Sequence, residues 1–180
     1  VLRADQTSPA SARTRCAGSC ASASSDAARR AAADTSSHRA RASATAAALA
    51  NGREALPADP ALREINFGAW DGLHWSEASA RDPDLTRAFW ETPGDIAPPD
   101  GESWNAVAAR VDGFVAQILA AHPGRDIVAV AHFGVILTRV QQAGGLTAQA
   151  ALAHSVEPLS VTQTEHTAAG WHLGEIGTCP

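Results

Sequence analysis

From residue 101 onward, apolar and polar positions alternate with periods that name the elements they form. Trp104, Val107, Ala108, Val111, Phe114, Val115, Ile118 and Leu119 recur at three- and four-residue steps. That spacing predicts a helix with one apolar face, opening at Gly101-Glu-Ser103 and running to about residue 121. His122-Pro-Gly-Arg125 stops it. The next run, Asp126-Ile-Val-Ala-Val-Ala131, is almost wholly apolar and reads as a strand buried on both faces of a mostly parallel sheet. A helix is expected from 135 to about 143, ended by Gly144-Gly145. Alternation over 159–165, a turn at Thr167-Ala-Ala-Gly170 and a return over 171–176 predict a closing hairpin.

The first half is less regular. Residues 82–100 are rich in Pro, Trp and acidic side chains, with Pro83, Pro93, Pro98 and Pro99. Such a stretch reads as a small insertion or lid packed on the sheet. Residues 20–50 are dominated by Ala, Ser and Arg. Propensity favours helices over 25–33 and 41–50, and no segment between them has the β-branched character of a buried strand. The elements together predict an α/β protein, a three-layer α/β/α sandwich with a mostly parallel central sheet, forming a single domain over 1–180.

Composition narrows the functional classes. The 180 residues are 45% hydrophobic and 18% charged, ordinary values for a globular chain. The net charge of −5, carried on the basic side by arginine alone, argues against a nucleic-acid surface. There is no long apolar run for a membrane span and no charged-then-apolar leader. The abundance of Ala and absence of Lys are what a GC-rich bacterial coding sequence produces. The chain opens on Val1, so further residues in front of it are expected. Cys16, Cys20 and Cys179 lack the paired spacing of a zinc site and read as thiols of a reducing cytosol. Trp75, Phe89 and Trp90 read as exposed, either part of a lid or the interface of a homodimer.

His132 is the leading candidate for chemistry. It follows the buried strand and precedes a helix start, where ligands of open α/β sheets bind. The unpaired N–H groups and positive dipole end of the helix suit phosphate there. Glu64, in Leu62-Arg-Glu-Ile-Asn-Phe-Gly-Ala-Trp-Asp-Gly72, is second, although a carboxylate beside Arg63 is in isolation more simply a solvated one. Arg3 and Arg41 carry guanidinium groups that match two phosphate oxygens at once. Surface arginines are common, so context decides.

The context is a resemblance to the histidine phosphatase (phosphoglycerate-mutase-like) superfamily. The segment 62–72 is similar to its LxExxFGxWEG, Gly101-Glu-Ser103 to its GES helix start, and Val128-Ala-Val-Ala-His-Phe-Gly-Val135 to its VVAHGG strand end. Ser36-Ser37, Arg41-Ala42 and Thr45-Ala46 resemble SSPLxRAxxTA, and Pro158-Leu-Ser-Val161 falls where the family has a late strand. Within the superfamily the pattern is most similar to the small bacterial phosphatases grouped with α-ribazole phosphatase. The resemblance implies hydrolysis of small phosphomonoesters through a phosphohistidine, with no metal or other cofactor. Arg3, Arg41 and His132 would stabilise the phosphoryl group, Glu64 would protonate the leaving alkoxide, and Glu102 and Ser103 would border the bound phosphate. The implied partner is a small phosphorylated substrate or phosphate itself, and the implied location is cytoplasmic.

Departures from the family pattern accompany it. Leu2-Arg-Ala-Asp-Gln-Thr7 aligns with LRHGxT and puts Ala4 where the nucleophilic histidine belongs. Asp5 adds a carboxylate that, about 5 Å from a phosphate charge at an effective dielectric of ~20, is repelled by roughly 3 kcal/mol. His38 stands in place of a proline and Phe133 in place of a glycine, and residues 30–35 are too few for the helix end and strand expected there. Three readings follow: a phosphate-binding protein of this fold without turnover, an active phosphatase whose N-terminal sequence is altered or incomplete, or another nucleophile such as His38.

Overall fold

The computed structural model describes residues 2–3, 12–17, 31–36, 40–50 and 52–179. Among them, six strands form one sheet: β1 (Leu2–Arg3), β2 (Ala12–Ala17), β3 (Ala31–Ser36), β4 (Asp126–Val130), β5 (Val161–Thr167) and β6 (Gly170–Leu173), in the order β3-β4-β2-β1-β5-β6. Strand β4 is flanked by β3 and β2, both parallel to it. All five of its residues are buried, as its unbroken apolar run requires, and each fully buried Ile or Val side chain contributes about 1.5–3 kcal/mol.

Beyond β2 the direction changes. Strand β1 runs antiparallel to β2 and parallel to β5, while β5 is antiparallel to β2 and β6. The sheet is therefore evenly mixed, not mostly parallel as the sequence suggests. One cause is the predicted hairpin itself: Thr167 pairs with Gly170 across two residues, and so short a connection can join only antiparallel strands.

A second correction concerns Ala31-Ala-Ala-Asp-Thr-Ser36. Its composition argued against a strand and placed a helix over 25–33, yet it forms β3, paired from Ala31 to Ser36 along β4. The pairing partner overrides the weak local preference. Residues 25–30 lie outside the described residues.

The helices are α1 (Ala40–Leu49), α2 (Trp75–Arg81), α3 (Pro83–Glu91), α4 (Trp104–Ala121), α5 (Phe133–Gly144) and α6 (Ala148–Leu152). Ser103 caps α4 by accepting the Ala106 N–H at 3.2 Å. Helices α4 and α5 bring Val107, Val111, Val135, Leu137 and Val140 into the main core with Ala129 of β4. Helix α1 lays the small side chains of Ala42 and Ala46 against Val130.

Residues 82–100 carry helical structure of their own. They begin with α3, whose Pro83 occupies the first turn. Phe89 is buried with Trp70 and Ala78 in a separate cluster, edge-on to Trp70 at 5.8 Å between ring centres. It is thus not exposed, whereas Trp75 (71%) and Trp90 (45%) are. Among the described residues no helix is long and apolar enough to cross a membrane.

Candidate functional site

His132 occupies the N-cap of α5, two residues beyond the carboxyl end of β4, with extended backbone (φ −110°, ψ 168°). Its carbonyl accepts the Ile136 N–H at 3.0 Å, while its side chain makes no capping bond to the helix. The imidazole is therefore not spent on the helix start.

The cap comes from elsewhere in the chain. The Gly134 N–H donates to Glu64 Oε1 at 3.1 Å and lies 3.4 Å from Oε2. Glu64 Oε1 also accepts the N–H of Ile65 at 3.0 Å. A carboxylate at a helix N-terminus is favoured by the dipole and by the unpaired donors there. Oε1 carries both short bonds, which leaves Oε2 the less engaged of the two oxygens. The two strongest sequence candidates, His132 and Glu64, thus meet at one helix start.

The segment carrying Glu64 is fixed from both sides. Leu62, in a short 3-10 turn over Pro60–Leu62, and Ile65 are buried in the main core. On the other face Arg110 of α4 donates to the carbonyls of Ala61 (2.6 Å) and Glu64 (3.2 Å). The same guanidinium grips Glu102 side-on, Nε to Oε1 at 3.0 Å and Nη2 to Oε2 at 3.1 Å. Glu102 in turn accepts from Arg63 and from the Asn66 N–H. Burial raises the Glu102 carboxyl, but the hydrogen bond from Arg110, that from Asn66 and the charges of Arg110 and Arg63 outweigh it, leaving it below its ordinary value.

These contacts account for two residues expected at the phosphate. The Glu102 carboxylate is held by two arginines and a backbone N–H, and Ser103 caps α4. Both side chains serve the loop's architecture. Arg41 is the second residue of α1, exposed, and follows β3, whose last residue Ser36 pairs with Val130. It therefore enters at the sheet edge from which His132 emerges.

Arg3 does not. In the register, Arg3 pairs with Arg13 of β2, and the adjoining Thr14 pairs with Ile127. Because β1 is antiparallel to β2, its last residue reaches the edge where β4 begins, opposite His132. It is β2 whose carboxyl end lies beside the end of β4, with Cys16 paired to Ala129. Ala4, Asp5, Cys20, Ser37 and His38 lie outside the described residues. Sequence reasoning missed Arg110 and the role of Gly134. Arg110 stands on the predicted helix as one more surface arginine, and only its placement opposite Glu102 gives it meaning. Among the described residues no cluster of His, Cys, Asp and Glu has the geometry of a metal site.

The profile of the histidine phosphatase superfamily (branch 1) matches residues 17–178, which takes in Arg41, Glu64 and His132 and leaves Arg3 and Ala4 outside. A metal-independent phosphoserine phosphatase of Arabidopsis thaliana is 30% identical over 129 residues, 66% of this chain and 52% of that protein. The structure of YhfR from Bacillus stearothermophilus superposes with a TM-score of 0.79 at 24% identity, covering 93% of this chain and 98% of that one. That of a mycobacterial glucosyl-3-phosphoglycerate phosphatase with inorganic phosphate gives 0.73 at 26% identity, covering 93% and 96%. The aligned stretches span between 20% and 52% of the length of the curated relatives.

Proposed function

The chain belongs to the histidine phosphatase superfamily, branch 1, and we propose that it hydrolyses small phosphomonoesters through a phosphohistidine. The observation that carries this reading is the Glu64 carboxyl seated on the Gly134 N–H, beside His132 at a helix N-terminus. In this reading His132 and Arg41 hold the equatorial phosphoryl oxygens as negative charge spreads over them. As a histidine nitrogen attacks phosphorus and the ester P–O bond breaks, Glu64 delivers its proton to the alkoxide; it then takes one from the water whose attack breaks the P–N bond and frees the histidine. The relatives named for phosphoserine and glucosyl-3-phosphoglycerate point to small phosphorylated metabolites as the substrate class. Arg3 has no part in this assignment, since its strand leads it to the other sheet edge. The protein would work as a single three-layer domain in the cytoplasm, with 82–100 bordering the site.

One observation favours a second reading, a phosphate-binding protein of the same fold without turnover. A phosphohistidine route needs a second histidine facing His132. The sequence match at the usual nucleophile position is Ala4.

A phosphatase assay with phosphohistidine trapping, on protein whose sequence is verified by mass spectrometry, separates the two. Turnover with an acid-labile phosphoprotein is expected of the hydrolase. Neither signal, with phosphate still bound, establishes the second reading. Turnover that survives both His132→Ala and Arg41→Ala would remove this site assignment.

A further inference from the structure

We propose that Arg110 is a positioning residue that, together with Glu102, sets where the Glu64 carboxyl sits. The proposal rests on the reading of Glu64 as proton donor. Arg110 has two functions in one guanidinium: its side-on grip on Glu102, and its donation to the backbone carbonyls of Ala61 and Glu64. Glu102 extends the hold to the Arg63 side chain and the Asn66 N–H. Its own N–H donates to the Asn66 carbonyl at 2.8 Å. Apart from the Arg110–Glu102 pair itself, every one of these bonds ends on residues 61–66, the segment whose single acidic side chain is Glu64.

The base of the clamp is rigid. Arg110 lies on α4 beside Val107 and Val111, both wholly buried in the main core, and its own side chain is only 14% exposed. Planar two-bond pairing of guanidinium with carboxylate fixes direction as well as distance, which a lysine at this place would not reproduce. A proton donor displaced by about 1 Å loses on the order of 10²-fold in rate, so a clamp on its backbone is a catalytic device even though Arg110 does not itself touch the reacting atoms.

The Gly134 amide reports the clamp without any need for turnover, because its partner is the Glu64 carboxylate. The variant Arg110→Met keeps the aliphatic stem and removes the donors. In it, hydrogen exchange of the Gly134 amide measured by NMR is expected to accelerate by roughly tenfold or more, with the amides of residues 137–140 unchanged. Arg110→Lys should restore little of the protection, and in a Glu64→Ala background Arg110→Met should add nothing. Unchanged Gly134 exchange overturns the proposal. So does equal loosening of the whole of α5, which would make Arg110 a general stabiliser.

The kinetic arm uses leaving groups. In Arg110→Met, kcat for an alkyl phosphate is expected to fall by about 10–10²-fold, while p-nitrophenyl phosphate, whose leaving group departs without a proton, changes little. Equal losses on both esters overturn the positioning role. Wild-type protein with no turnover on either ester overturns the hydrolase reading, and the Gly134 amide still decides whether Arg110 sets the carboxyl.

Discussion

Glu64 Oε1 reaches the backbone nitrogen of Gly134, 70 positions later in the chain, at 3.1 Å, and the absence of a side chain at 134 makes the approach possible. A Cβ added there would stand 2.7 Å from Oε1 and 3.2 Å from Ile65 Cδ1. Gly134→Ala is expected to push the carboxyl off the helix start. Alanine in a helix is favoured over glycine by up to about 1 kcal/mol, which the lost carboxylate cap and the tight contacts with buried Ile65 offset, so the protein should stay folded while kcat on an alkyl phosphate drops by roughly 10²-fold. Wild-type kcat in this variant would show that the carboxyl's seat on α5 is irrelevant to turnover.

The loop beneath the site depends on another glycine. Gly68 has φ +53°, and a Cβ there would fall 2.2 Å from the Pro99 carbonyl and 2.5 Å from the Gly101 nitrogen. The backbones of 66–69 and 99–102 touch directly, with the Ala69 N–H donating to Pro99 O at 2.8 Å. Gly68→Ala should cost at least about 2 kcal/mol, read from the urea midpoint. Gly72→Ala is the control: its φ of +81° is also left-handed, but nothing lies within 4 Å, so it should cost only about 1–2 kcal/mol of backbone strain. Equal costs would mean that the close approach at Gly68 is relieved by movement of residues 98–101.

That contact explains why much of this site is legible in the sequence. Asn66-Phe-Gly68 and Gly101-Glu-Ser103 are short motifs because two backbones meet there and neither tolerates side chains at the crossing. Helix α4, strand β4 and helix α5 are legible too, since each buries a face whose period survives in the residue order. Strand β3 is not, because Ala31-Ala-Ala-Asp-Thr-Ser36 takes its conformation from pairing with β4. The direction of β1 is equally hidden: nothing in Leu2-Arg3 says which sheet edge it will face, and the strand's antiparallel pairing sets Arg3 level with the start of β4, away from His132. The meeting of Glu64 with Gly134 is a tertiary fact that no local pattern records.

Acid should loosen the clamp around Glu102. A carboxyl whose folded value lies below its ordinary value contributes stability that is complete above that ordinary value, about 4.5, and is lost as pH falls through the folded value. Glu102→Gln removes this contribution. The difference in unfolding free energy between wild type and Glu102→Gln should be largest at neutral pH and shrink below about pH 4.5. Urea titrations at pH 7 and at successively lower pH measure it, and a gap that stays constant would show that the charge on Glu102 contributes nothing.

The pair formed by the buried Arg139 and the partly exposed Asp112 behaves oppositely. The Arg139 side chain is 3% exposed and pairs with Asp112, with its guanidinium 4.3 Å over the Trp171 ring. Burial pushes the Asp112 carboxyl up, and the charge and hydrogen bond of Arg139 pull it back only in part. Desolvation therefore exceeds attraction, and the ionised pair is weak as a source of stability even though breaking it is costly. Its contribution to stability falls, not rises, as pH climbs through the raised value. Asp112→Leu alone removes a partly exposed carboxylate from the buried guanidinium and, with solvent screening, should cost about 1–2 kcal/mol. Arg139→Met keeps contact with Trp171 through a polarisable sulfur, and the double variant Asp112→Leu, Arg139→Met should lie within about 1 kcal/mol of wild type. A double-mutant cycle by urea unfolding measures the coupling, expected at about 1 kcal/mol. Additive single costs would show that the two side chains stabilise the α4–α5 contact independently, and that packing, not charge, holds Arg139 inside.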